Sequence, residues 1–121
     1  MTCTIIKGHP HQRRFVGGIV TNAAELEELA RKCRVHIVNM VHRAQAGHPG
    51  GSLSEIDLLV GLYKTVLRVR PDEPDWEDRD RFILSKGHAS PGMYAILAEM
   101  GFISVDAVSY THLTLPTIAV V

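Results

Sequence analysis

Phe82-Ile83-Leu84-Ser85-Lys86-Gly87-His88-Ala89-Ser90-Pro91 is the stretch on which the fold turns. Phe82 to Leu84 is an apolar run too short for a helix, and we read it as a buried strand. Ser90 then reads as the cap of a helix with Pro91 at its first position, where the missing N–H does no harm. Met93, Ala95, Ile96, Leu97 and Met100 make that helix apolar, and Gly101 closes it. Between strand and helix stands His88, at the place where open α/β sheets bind ligands, outside the carboxyl end of a strand. The N–H groups of a helix start also attract anions. The Walker frame of a phosphate loop is absent, so the segment is not one of those.

Upstream of the strand, Arg70 to Asp80 is a loop punctuated by Pro71 and Pro74, with Asp72, Glu73, Asp75, Glu77, Asp78 and Asp80 against Arg79. The ligand order of a calcium loop is missing, so a solvated loop anchored by Trp76 is expected. Before it, Ser52 and Glu55 make a capping box for a helix carrying Leu53, Ile56, Leu58, Leu59, Val60, Leu62, Tyr63, Val66 and Leu67. Apolar groups nearly all round that helix require cover on several sides. Asp57 within it reads as a first-turn charge favourable to the helix dipole, with a buried, partnered carboxylate as the alternative.

Further back, Asn22 with Glu25 starts a longer helix. Leu26, Leu29, Ala30, Cys33, Ile37, Met40, Val41 and Ala44 draw one apolar stripe along it, and Gly47 is expected to end it. Glu28, Arg31, Lys32 and Arg43 lie off the stripe as solvated charges, and His36 and His42 read as boundary or surface residues. Between the two helices, Gly47-His48-Pro49-Gly50-Gly51-Ser52 presents His48 on a turn: proline drives the residue before it toward an extended backbone, and the paired glycines let another group approach the main chain. An ordinary interhelical turn with a surface histidine is the plain reading of that segment, and a functional imidazole the alternative. The order helix, helix, strand, helix begins an α/β layered fold, mostly helical here, with one short parallel-type strand.

Composition limits what such a chain does. The 121 residues carry 13 basic and 13 acidic groups and are 45% apolar, which fits one small domain of a globular protein. Zero formal net charge argues against nucleic acid as a partner. The ten basic and five acidic groups before residue 71 are scattered along helix faces without interleaved aromatics. No apolar run approaches the ~20 residues of a membrane span. Cys3 and Cys33 are too few for a disulfide framework and suit a reducing compartment. Arg13-Arg14-Phe15 imitates a twin-arginine signal but lacks its apolar core, so a cytoplasmic location is expected. His9 and His11 flank Pro10 without a third ligand and are read as surface residues, and no metal site is assigned. Met1 to Thr21 remains an unplaced N-terminal arm.

Taken together, Gly47-His48-Pro49-Gly50-Gly51-Ser52-Leu53-Ser54, the run from Asp75-Trp76 through Asp78-Arg79-Asp80-Arg81-Phe82-Ile83-Leu84-Ser85-Lys86-Gly87-His88-Ala89-Ser90, and Tyr94-Ala95 with Leu97-Ala98 resemble the start of a transketolase. The resemblance runs in order from Ala24 to Ala107, and Gly50-Gly51-Ser52 with Lys86-Gly87-His88 suits the N-terminal subunit of split transketolases. Deoxyxylulose-phosphate synthases share the His-Pro-Gly turn but not the Leu-Ser-Lys-Gly-His run. The resemblance implies part of a thiamine-diphosphate-binding fold over residues 22–107. It implies an enzyme that moves a two-carbon ketol unit between sugar phosphates with thiamine diphosphate and Mg2+, working as a homo-oligomer together with a C-terminal subunit. His48 matches the family histidine that contacts substrate oxygens. His88 matches the one beside the cofactor and the reacting carbons, so both are catalytic candidates and His88 is also a cofactor-binding one. Imidazole suits both posts because it exchanges protons near neutral pH.

The family's Gly-Asp-Gly metal-ligand motif does not occur in this sequence. Val108-Ser109-Tyr110-Thr111-His112-Leu113-Thr114-Leu115-Pro116-Thr117 departs from the family and looks like a translated transposase adapter, so residues 108–121 are expected to be a non-native read-through tail. A chain cut in this way is expected to expose the apolar faces of its second and third helices, to be unstable or aggregation-prone, and to be inactive by itself. The alternative from another class is a small helical interaction module that dimerises through those faces.

Overall fold

The computed structural model describes residues 3–6, 22–109 and 119–120. Arg13-Arg14-Phe15, His9, His11 and the stretch Tyr110 to Thr117 lie outside the described residues. In chain order the elements are strand β1 (Cys3–Ile6), helix α1 (Ala23–Ala44), helix α2 (Pro49–Gly61), strand β2 (Arg81–Leu84), helix α3 (Ser90–Met100), helix α4 (Val105–Ser109) and strand β3 (Ala119–Val120). Helix α2 runs on into a wider π-type turn, Leu62–Val66, and a 3-10 turn, Gly87–Ala89, leads into α3.

Helix α1 forms where the apolar spacing places it. Asn22 has an extended backbone, and its side-chain oxygen accepts the Ala24 N–H at 2.7 Å, satisfying a donor that the first turn leaves free. Ala30, Cys33, Ile37 and Met40 are buried, with Leu26 and Leu29 packed at the edge of the core. Burial, and then the charge of Glu99, push the Cys33 thiol up to about 12, which leaves it protonated and inert. The helix ends sooner than Gly47 suggests. Gln45 adopts the left-handed conformation (φ 50°) and its side-chain amide donates to the His42 carbonyl at 2.5 Å. Gly47 follows, also left-handed, at φ 105°.

Two other helix starts also differ from expectation. Helix α2 begins at Pro49, so Ser52 lies inside its first turn and is no cap. Proline's fixed φ is ready-made for a first helical position, and it starts the helix before the serine is reached. Ser90 is likewise helical already, because the Gly87–Ala89 turn feeds α3 directly and Ala89 takes the capping position. Gly101 does close α3, at φ 88°, with its N–H on the Ala98 carbonyl (3.1 Å) and that of Phe102 on Leu97 (2.9 Å).

The three long helices pack on one another around Ile37, Ile56, Leu59, Met93 and Ile96, all sealed from solvent. Tyr63 and Phe82 meet edge to face at 6.2 Å between ring centres and join β2 to that core. Helix α3 does not expose an apolar face: every residue from Ser90 to Ala98 is buried except Tyr94, because α1, α2 and α4 all pack against it. Helix α2 is covered along most of its length and leaves Leu58 outside, at 58% exposure.

The strand is real, but its pairing is not parallel. β2 lies between β1 and β3 and is antiparallel to both, with Ile5 opposite Phe82 and Leu84 opposite Ala119. Phe82 and Leu84 point into the core, while Arg81 and Ile83 are half-exposed. One buried face and one wet face is the habit of antiparallel sheets, whereas parallel strands are covered on both faces and need long crossovers between neighbours.

The acidic loop is tied down more firmly than a solvated loop requires. Asp80 is fully buried: it accepts the Arg68 main-chain N–H at 2.9 Å and the Arg68 guanidinium at 3.2 Å, while its own N–H donates to the Arg68 carbonyl at 2.9 Å. At the surface, the Arg70 guanidinium lies over the Trp76 ring, 4.2 Å from its centre.

Candidate functional site

The chain's local rules place the two histidines on turns. His48 precedes Pro49 and is extended (φ −121°, ψ 106°), as the proline ring demands of its neighbour. Its side chain makes no capping bond and is exposed. His88 sits in the middle of the Gly87–Ala89 turn, between β2 and α3, and is exposed as well.

These two turns lie against each other. The Lys86 ammonium donates to the Gly51 carbonyl at 3.1 Å, binding the loop before His88 to the first turn of α2. Gly51 makes that approach possible, since a Cβ there would stand 3.0 Å from Lys86 Cε and 3.7 Å from the Ala89 Cβ. The group that comes close to the paired glycines is thus the chain's own lysine. Gly50 faces open space.

Neither helix start on this face has a side-chain cap, and each has a proline in its first turn. Cavities of about 500 Å3, beside Lys32, Lys64 and Glu99, and about 190 Å3, beside Tyr63 and Arg79, are lined by neither histidine. Each histidine is exposed on its own turn, and the Lys86 bond to Gly51 joins the two turns.

On α2 lies a polar pair that sequence reasoning took for a cap. Ser52 and Glu55 are one turn apart on α2 and both buried, and Ser52 Oγ and Glu55 Oε1 have no hydrogen-bond partner among the described residues. Burial pushes the Glu55 carboxyl up to about 7, against the opposing pull of Lys86. Gly92 on α3 makes room for it, because a Cβ there would lie 2.7 Å from Glu55 Oε1 and 3.4 Å from the Ser52 carbonyl. The available signal was an acidic residue between Leu53 and Ile56 on a helix otherwise apolar all round. A capping-box pattern fits the same letters and concealed it.

Two further polar pairs link one helix to another. His36 Nε2 and Glu99 Oε1 are 2.7 Å apart and link α1 to α3, so His36 is a boundary residue with a specific partner. Asp57 is exposed and takes the Arg34 guanidinium at 2.6 Å, which ties α2 to α1. Among the described residues no three His, Cys, Asp or Glu side chains are grouped as metal ligands, and no helix is long and apolar enough to cross a membrane.

Comparison with known proteins finds relatives of this sequence. Residues 26–113 match the family model described as transketolase, thiamine diphosphate binding domain. The chain is 46% identical over 79 residues to one of the subunits of the apulose-4-phosphate transketolase of Phocaeicola vulgatus, a match covering 65% of this chain and 28% of that protein. It is 37% identical over 82 residues to 6-deoxy-6-sulfo-D-fructose transketolase subunit SqwG of a Clostridium species, covering 68% of this chain and 30% of that protein. To transketolase 1 of Escherichia coli it is 38% identical over 76 residues, covering 63% of this chain and 12% of that protein. The chain thus spans less than a third of the length of each of these relatives.

Proposed function

This chain belongs to the transketolase family, matched through its thiamine diphosphate binding domain, and on that premise we propose that it supplies the His48 and His88 face of an enzyme that moves a two-carbon ketol unit from a ketose phosphate to an aldose phosphate. The observation that supports the reading is the Lys86 bond to the Gly51 carbonyl, which holds the loop before His88 against the first turn of α2, just after His48. When bound, thiamine diphosphate supplies the nucleophilic carbon that cleaves and re-forms the carbon–carbon bond. His88 would hold or pass a proton at its imidazole as the substrate's hydroxyl and carbonyl oxygens change charge. His48, on the neighbouring turn, hydrogen-bonds substrate oxygens and orients the sugar. The start of α2, which has no side-chain cap, leaves main-chain N–H groups for an anionic ligand, with Lys86 nearby as a cation.

The domain so assigned covers residues 22–107, within the cytoplasm. Its Mg2+ takes its ligands from outside the described residues, so no role in that metal site is assigned to the side chains described. The names of the two subunit relatives support a split enzyme; we propose that a second subunit completes the site and that the assembly is a homo-oligomer of such pairs. By itself the chain is proposed to be inactive.

The test is a titration of the chain with thiamine diphosphate and Mg2+, with and without a C-terminal transketolase subunit, followed by a ketol-transfer assay. Saturable cofactor binding and transfer that need both subunits are expected. The exposed Leu58, Val35 and Val38 favour a second reading, a helical module that pairs through its surface. Self-association indifferent to cofactor, with no transfer in the presence of the subunit, would establish that one instead.

A further inference from the structure

Arg68, Arg70, Arg79 and Arg81 stand in or beside the acidic loop, and all but Arg79 are engaged within the chain. Arg68 holds the buried Asp80. Arg70 takes Glu73 and lies over Trp76, although its Nε has no acceptor. Arg81 donates to the carbonyls of Glu77 and Arg79. Arg79 differs. It is half-buried, its Nε is sealed from solvent without a hydrogen-bond partner, and its guanidinium forms no ion pair among the described residues. A buried donor of a charged group without an acceptor is costly, and a fold that keeps one calls for a group to complete it.

Space for such a group is present. Arg79 lines a cavity of about 190 Å3 with Tyr63, Val69, Pro74, Asp75 and Phe102, drawn from the π-type turn after α2, the chain before β2 and the chain after α3. Tyr63 and Val69 are buried, and the Tyr63 hydroxyl is engaged with Met93 Sδ at 3.7 Å. The main chain at Arg79 is pinned: its N–H donates to the Trp76 carbonyl at 3.2 Å, its carbonyl accepts from Arg81 at 3.3 Å, and Asp80 beside it is locked onto Arg68. The cavity lies where the chain enters β2, whereas His88 follows the other end of that strand. A guanidinium offers a planar pair of donors that matches a carboxylate or a phosphate. The carboxylate fits better here, because Asp75 in the wall opposes a dianion and the other walls are apolar. Roughly 150 Å3 is enough for a benzene ring, so an apolar body fits beside the charged end. We propose that this cavity binds a small monocarboxylate with an apolar body, its carboxylate on Arg79 and its body among Tyr63, Val69 and Phe102. The site is separate from the histidine turns and independent of ketol transfer.

The full chain, labelled with 15N and free of cofactor, is titrated by NMR with benzoate, inorganic phosphate and benzylammonium at constant ionic strength. Benzoate is expected to move the Arg79 Nε–H resonance and the Arg79 and Phe102 amides saturably, and the other two probes to leave them in place. Arg79→Lys keeps the charge but loses the planar pair of donors, and should weaken benzoate binding about tenfold or more, as loss of a hydrogen bond to a charged group implies. Val69→Phe fills the cavity from another wall and should abolish binding with the guanidinium still present. Unmoved resonances in the unsubstituted chain, unchanged affinity in either variant, or equal binding of phosphate would overturn the proposal. Tighter binding of benzylammonium would overturn it too, by making Asp75 the anchor. Should Val69→Phe lose its dispersed spectrum, Arg79→Lys decides alone.

Discussion

Helix α1 and the pair α2 and α3 begin in opposite ways. At Asn22 the chain closes its own helix end, with a side-chain oxygen 2.7 Å from the Ala24 N–H. At His48 and Ala89 it leaves two helix ends without a side-chain cap, each followed by a proline and each beside an exposed imidazole. The first kind of start is complete within the chain and serves stability. The second kind lacks that side-chain oxygen: at α3 the preceding 3-10 turn takes the Ser90 N–H on the Gly87 carbonyl, whereas at α2 the first residues stay exposed, beside the Lys86 bond to Gly51. An exposed, uncapped start such as that of α2 costs some stability and offers hydrogen-bonding capacity to a ligand.

That contrast can be broken or sharpened by substitution. His88→Ala should lower ketol transfer by the assembled enzyme by about 10²–10⁴-fold, as removal of a proton-handling group does, with urea unfolding of the chain within about 0.5 kcal/mol of the parent. Equal losses of activity and stability would erase the distinction between the two kinds of start. Ile96→Ala, in the core beneath the open starts, should cost about 2–5 kcal/mol in the same unfolding experiment. Its effect must fall on stability, since the side chain is sealed from any ligand.

The third test uses pH. The Glu55 carboxyl titrates near 7 when folded, above its ordinary value of 4.5, so the folded chain holds a proton that the unfolded chain gives up first. Its contribution is greatest below about 4.5, falls as pH rises toward 7, and is level above that. Stability measured by urea at pH 5 and pH 8 should therefore differ by up to about 3 kcal/mol more in the parent than in Glu55→Gln. The smallest effect belongs to the closed start. Asn22→Ala should cost about 1 kcal/mol and leave cofactor binding by the assembled enzyme untouched.

Much of the fold was legible from side-chain spacing. The α1 stripe from Leu26 to Met40, the apolar run at Phe82, and the glycine that ends α3 are local signals, and the chain obeys them. The helix starts were less legible. Ser52 and Ser90 carry the right chemistry for caps, but a proline three residues earlier in one case and a 3-10 turn in the other began the helix first. The strand's direction was not legible at all, because three apolar letters have no orientation until partners arrive from Cys3–Ile6 and Ala119–Val120. Asp80 shows the same limit: in an acidic loop it reads as solvated, yet its fully buried carboxylate closes the loop onto Arg68.

The sequence by itself determined the family, the three amphipathic or apolar helices, and the two turns that carry His48 and His88. Each of these depends on neighbours along the chain, through periodicity, the rigidity of proline and the order of motifs. Tertiary structure alone decided that Lys86 reaches across to Gly51, that Glu55 is entombed against Gly92, and that β2 pairs antiparallel on both sides. Those are contacts between distant segments, fixed by which surfaces can be buried together at the same time, and no local pattern encodes them.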